Sequence, residues 1–245
     1  MEFLRTSPYP FSAILAGHIA IAAIALAGVV WASAAPFALS RWALVWSLTA
    51  LAIPVLASES VRRSSPITIM GVANRITLVR GVMIGWIAAF CTSVGTDGQM
   101  FWVAVVASVA LVMDGLDGLV ARATHSESAY GAQLDMECDA LLMIILSWLA
   151  VQWEQAGIWV LFCGLARYVW IAAQVALPWF RRALPESFRR KTACVVGIVG
   201  LIMTIAPIPW PVLWAATATA ALGISFAIDA AWLVRRREEP MPGGP

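Results

Sequence analysis

Apolar residues gather in eight runs along the chain, roughly 11–33, 41–57, 80–96, 100–121, 133–153, 157–179, 192–207 and 211–234, with polar stretches between them. A helix needs about 20 largely apolar residues to cross the hydrocarbon core, so each run reads as a membrane span, the second and seventh being short for one. The pattern predicts an all-α polytopic bundle with two N-terminal helices in residues 1–57 and a six-helix core in 80–237. Residues 58–79 break the pattern. Ser58 to Pro66 reads as a polar linker. After it, Ile67, Ile69, Met70, Ile76, Leu78 and Val79 alternate with Asn74, Arg75, Thr77 and Arg80. That interleaving predicts a short amphipathic helix in the headgroup plane, running into the third span. The tail 238–245 reads as disordered.

Composition agrees with the pattern. The chain is 61% apolar and 12% charged, with a mean hydropathy of +0.83. A soluble enzyme carries about twice that share of charge. A net charge of +2 is too small to suggest a nucleic-acid partner. The four cysteines show no metal spacing and read as packing residues. The first run reads as an uncleaved helix rather than a signal peptide, being long for an h-region.

The 16 basic residues test the topology. With the N-terminus in the cytoplasm and eight alternating spans, 14 of them fall on the cytoplasmic side, as the positive-inside rule asks. The exceptions are Arg41, near the outer face, and Arg167, inside the sixth run. The sequence shows no internal repeat, which disfavours an inverted-repeat transporter.

The acids are distributed differently. Asp114, Asp117, Glu127, Asp135, Glu137 and Asp139 crowd into 26 of the 245 residues. Asp114 and Asp117 lie at i, i+3 and share one helix face. Asp135 and Asp139 lie at i, i+4 and share another. A loop of roughly ten residues makes the two helices antiparallel neighbours, so four carboxylates can aim at one point at the cytoplasmic edge. Such a cluster must be neutralised, because each ion taken out of water costs several kcal/mol. An all-oxygen ligand set suits Mg²⁺ or Mn²⁺, and four carboxylates suffice for two ions. Gly118 and Gly131 carry no Cβ beside the acids, which lets a phosphate or nucleotide approach, and Arg122 can pair with a phosphate oxygen.

From Asp114 to Asp139 the chain reads D-x2-D-G-x2-A-R-x8-G-x3-D-x3-D. This resembles the signature of the CDP-alcohol phosphotransferases. Asn74, Thr77 and Arg80 resemble the family's N-x-x-T-x-x-R segment, with Ala73 where a proline is common. Ser187 to Thr192 resembles the basic stretch before its fifth core helix. The resemblance covers about residues 66–237 and is silent on the first two spans.

The resemblance implies an integral membrane enzyme that uses two divalent ions, Mg²⁺ or Mn²⁺. An alcohol would attack the β-phosphoryl group of a CDP-linked lipid, and CMP would leave. Asp114, Asp117 and Asp135 would be metal ligands, and Asp139 both ligand and general base. Gly118, Arg122 and Ser128 would contact the CDP part, with Gly131 beside them and Asn74 and Thr77 closing over the nucleotide. CDP-diacylglycerol with a small alcohol is the favoured pairing over a soluble CDP-alcohol with a lipid acceptor. The resemblance further implies a homodimer, and a site on the cytoplasmic side of a bacterial or archaeal plasma membrane.

For the acceptor, Arg167 is costly inside a span and reads as a phosphate contact or a partner of a buried carboxylate. Arg189 and Lys191 open the seventh span and read as contacts for a phosphorylated alcohol. Glu137 points away from the four aspartates and reads as structural. Asp229 reads as a partner of Arg235–Arg237. Two rivals are weaker. An aspartate-rich intramembrane prenyltransferase carries its motifs in separate halves of the chain, and a cation transporter does not account for the glycine and arginine phosphate features.

Overall fold

The computed structural model describes residues 11–64, 72–123, 128–182, 184–185 and 187–237. These residues form eight α-helices with no strand among them: α1 (Phe11–Ala34), α2 (Ala43–Ser64), α3 (Val72–Ala88), α4 (Asp97–Ala123), α5 (Ala129–Gln152), α6 (Leu161–Ala176), α7 (Phe188–Ile205) and α8 (Pro211–Arg235). The all-α expectation holds. Among the described residues, four stretches are long and apolar enough to cross a membrane: Leu15–Ala34, Asp97–Leu116, Ile158–Ala176 and Pro211–Arg235.

Two local expectations change. The polar segment 58–64 continues α2 rather than forming a linker, and Ser58 holds its helical register by donating to the Pro54 carbonyl at 2.8 Å. A serine bonded back to the preceding turn does not break a helix. Residues 72–79 are the first two turns of α3, which runs unbroken to Ala88 and stops short of residue 96. Past Ala88 the chain tightens into a turn, with Phe90 N–H donating to Ile87 and Cys91 N–H to Ala88. Residues 65–71 and 238–245, parts of the linker and tail expectations, lie outside the described residues.

The helices group into two compact units, residues 1–142 and 143–245. In the first, α1 and α2 pack on α3, and α3 packs on α4. Gly85 lies where the first three meet; a Cβ there would collide with the Leu26 side chain and crowd the Ser47 carbonyl. Trp86 stacks edge-on with Phe37 and Phe90 and donates its indole N–H to Ser33 at 3.0 Å. At the start of α4, Thr96 and Gln99 form a reciprocal cap, each accepting the other's backbone N–H. Leu15, Leu78, Tyr130 and Leu134 form a buried cluster, with Ile19 and Val55 packed against it. The N-terminal helices thus buttress the parts of α3 and α5 that carry the polar residues considered next.

In the second unit α7 and α8 pair through small residues. A Cβ on Gly197 would meet Leu222, and one on Gly200 would meet Ala218 and the Trp214 carbonyl. In a lipid-facing bundle such contacts replace hydrophobic collapse, since close backbone approach multiplies van der Waals contact.

Candidate functional site

Three helices of the first unit supply the site. On α3, Asn74, Thr77 and Arg80 follow at i, i+3 and i+6, and all three are buried, while Arg75 and Val79 are exposed. On α5, Asp135 and Asp139 lie one turn apart on a common face. On α4, Asp114 faces the same place. Oxygens of Asp114, Asp135 and Asp139 all lie within 4.8 Å of one another. The side chains of Asp117, Gly118 and Arg122 lie outside the described residues, although their backbone belongs to α4.

The centre of this triad is taken by Arg80. One terminal nitrogen, Nη1, lies 2.8 Å from Asp114 Oδ1 and also bonds Asp135 Oδ1. The other, Nη2, donates to Asp139 Oδ1 at 2.6 Å. The Arg80 side chain is fully buried, while Asp114, Asp135 and Asp139 keep 24%, 35% and 20% of their side-chain surface. The guanidinium therefore sits beneath a partly open bowl of carboxylates. Arg80 was expected among the basic residues that mark the cytoplasmic face, and the structure gives it this further place. A signal for it was present, because its i, i+3, i+6 spacing with Asn74 and Thr77 puts it on their face.

Gly131 and Ser128 have local work as well. Ser128 precedes α5, and its hydroxyl oxygen accepts the Gly131 N–H at 3.0 Å, an N-cap bond. A Cβ on Gly131 would lie far inside contact with Asn74 Oδ1. The glycine thus admits the Asn74 amide of α3, where the sequence suggested room for a nucleotide or phosphate. Glu137 is buried and accepts from Gln133 Nε2 at 2.7 Å, one turn back on α5, in keeping with a structural role.

The basic residues expected on the acceptor side belong to the second unit. Arg189, at the start of α7, donates through Nη1 to the Ser225 carbonyl at 2.6 Å and hydroxyl at 2.7 Å. Its Nη2 donates to Asp229 Oδ1 at 2.5 Å. Arg190 Nη1 stands 3.6 Å from the same Asp229 oxygen. Asp229 therefore pairs with the start of α7, which corrects the expected pairing with Arg235–Arg237. Those three residues follow Asp229 by six positions or more, too far along one helix for the i, i+4 geometry that local pairing needs. Lys191 is exposed, and Arg167 is half-buried in the second turn of α6. Arg181 donates to the Gln174 carbonyl at 2.8 Å near the end of α6.

The donor set of the first unit fits a divalent cation of the Mg²⁺ or Mn²⁺ kind. Its donors are hard carboxylate oxygens, convergent and partly open to solvent, with no sulfur or imidazole among the three.

Residues 70–227 match the CDP-alcohol phosphatidyltransferase family. The match spans well over half of the chain, and the protein belongs to this family of integral membrane transferases, which act on substituted phosphate groups and generally depend on divalent metals. The first two helices lie outside the matched region. No curated protein and no solved structure matches the chain.

Proposed function

We propose that the protein moves the phosphatidyl group of CDP-diacylglycerol to a small alcohol and releases CMP. The observation that carries this reading is the convergence of Asp114, Asp135 and Asp139 in a chain of this family. Asp117 completes the ligand set by its place in the motif. Two bound Mg²⁺ or Mn²⁺ ions would neutralise the pyrophosphate and polarise the phosphoryl oxygens.

The chain's own residues do the rest. Asp139 takes the proton of the alcohol hydroxyl. The freed oxygen forms a bond to the β-phosphorus, the bond from that phosphorus to the bridging oxygen breaks, and CMP departs with the bridging oxygen. Such a base typically contributes a factor of about 10²–10⁴. Asn74, Thr77, Gly118, Arg122 and Ser128 hold the CDP part, with Gly131 setting how closely Asn74 approaches. Lys191, Arg189 and Arg167 bind the acceptor, which their charge suits to a phosphorylated alcohol such as glycerol phosphate or inositol phosphate. The enzyme works as a homodimer with eight spans, its site on the cytoplasmic face of a prokaryotic plasma membrane.

The test is purified protein with CDP-diacylglycerol, Mg²⁺ or Mn²⁺ and a panel of free and phosphorylated alcohols. Metal-dependent CMP release together with a new lipid mass is expected for one of them. CMP release only from a soluble CDP-alcohol with diacylglycerol as acceptor would reverse the roles of lipid and nucleotide. No CMP release under any pairing would overturn the reading.

A further inference from the structure

Arg80 and a divalent ion compete for the same three carboxylates. A Mg²⁺ or Mn²⁺ ion bound by Asp114, Asp135 and Asp139 would lie about 2.0–2.2 Å from them. The two terminal nitrogens of Arg80 already occupy the middle of that triangle, 2.8 Å from Asp114 Oδ1 and 2.6 Å from Asp139 Oδ1, with Asp135 Oδ1 bonded as well. A guanidinium nitrogen and a divalent cation sharing a carboxylate oxygen would stand no more than about 5 Å apart, and like charges that close repel strongly where water is scarce.

The proposed chemistry points to the same conflict. Asp139 Oδ1 accepts a hydrogen bond from Arg80 Nη2. A guanidinium this close makes the carboxylate a poorer proton acceptor, even though a carboxylate offers a second oxygen. Arg80 itself cannot lose its charge to make way, because a guanidinium stays protonated in proteins. Relief of that repulsion therefore comes from movement, and a long side chain on the third turn of α3 can swing where a backbone group cannot.

We infer that Arg80 is an exchangeable internal counter-cation. When no divalent ion is bound, it neutralises the carboxylates and ties α3 to α4 and α5. As ions bind, it yields the oxygens to them. Arg80 is thus a positioning residue that sets metal affinity by competition. The inference rests on the metal-dependent reading given above. A fixed structural clamp predicts the reverse: without it the carboxylates would splay, and metal would bind more weakly.

The experiment uses the full-length protein in detergent micelles. Mn²⁺ is titrated with free ion followed by electron paramagnetic resonance, and thermal unfolding is recorded with and without Mn²⁺. Arg80→Met keeps most of the side-chain length and removes the charge. It should bind Mn²⁺ about tenfold more tightly than wild type, within the usual range for two coupled ligands. Its unfolding temperature should fall without Mn²⁺ and recover with it. Mn²⁺ affinity equal to wild type or weaker would overturn the inference. Should Arg80→Met not fold, Arg80→Lys decides, since a single ammonium cannot span three carboxylates. A smaller gain in Mn²⁺ affinity supports the inference, and no gain overturns it. If wild type binds Mn²⁺ and neither variant binds it more tightly, this inference alone falls. If wild type binds no Mn²⁺, the metal-dependent reading falls, and this inference with it.

Discussion

Two charged clusters in this chain are made from the same two groups in opposite proportion. In the first unit, three carboxylates surround one buried guanidinium. In the second, one carboxylate, Asp229, faces two guanidiniums, Arg189 and Arg190. Partly buried charges must come close to balance, because desolvation penalises any excess. The first cluster is rich in carboxylate and the second in guanidinium. The difference also lies in what satisfies each arginine: Arg80 bonds to groups proposed to be needed elsewhere, whereas Arg189 is anchored by Ser225 and Asp229 on α8.

The comparison breaks most visibly at Asp139. Asp139→Asn removes one negative charge and the proposed base while keeping the side chain's shape. Turnover should drop about a thousandfold, in the range of lost general-base catalysis. CDP-lipid binding should stay near wild type, and the protein should still fold, its unfolding temperature lowered by the weaker bond to Arg80. Turnover close to wild type would mean that the excess of carboxylate has no catalytic meaning.

How far each cluster could be read from sequence depends on how local it is. The spacing of Asp114 with Asp117, and of Asp135 with Asp139, is intrahelical, so it was legible as two helix faces before any fold was known. Arg80 meets Asp135 and Asp139 across 55 and 59 positions, and a basic residue at the start of a span satisfies the positive-inside rule equally well. Its partners appear only when α3, α4 and α5 are packed. Asp229 failed for the same reason, since its partner on α7 lies 40 residues away while the arginines close in sequence are badly placed. The all-helical class and the positions of most helices followed directly from the apolar runs. The end of α3 did not, because Ala89, Phe90 and Cys91 are as apolar and buried as the helix before them. Only the turn that brings Phe90 onto Phe37 and Trp86 marks the stop.

Asp229→Asn sharpens the other side of the comparison. It removes the anion that ties α7 to α8 and leaves Arg189 a neutral amide oxygen beside its Ser225 bonds. A hydrogen bond to a charged partner contributes about 2 kcal/mol, so thermal unfolding in detergent should register a loss of that order. Mn²⁺ affinity should not move. A changed Mn²⁺ affinity would show that the two clusters are not independent. Gly131→Ala asks whether geometry matters in the first cluster as well as charge. The new methyl would press on Asn74 Oδ1 and on the Ser128 hydroxyl. Overpacking of this kind costs about 1–2 kcal/mol. The KM for the CDP-lipid should rise more than that for the acceptor, because Asn74 lies on the nucleotide side. An equal rise in both would place Gly131 in general packing only.

The smallest effect, and the finest discrimination, is expected at Lys191. It is exposed in the first turn of α7, next to two arginines of which Arg189 is already engaged by α8. An incoming phosphate would meet the uncommitted ammonium more readily than a guanidinium that must first leave Asp229. An exposed ionic contact contributes at most about 1 kcal/mol, so Lys191→Gln should raise the acceptor KM by about threefold to fivefold. The KM for the CDP-lipid and the unfolding temperature should be unaffected. Arg189→Gln should instead lower stability along with any change in KM. Steady-state kinetics with the acceptor found in the panel, run beside thermal unfolding, separate the two. If Lys191→Gln leaves the acceptor KM unchanged, the positive excess of the second cluster serves to anchor the helix at the membrane face and not to bind substrate.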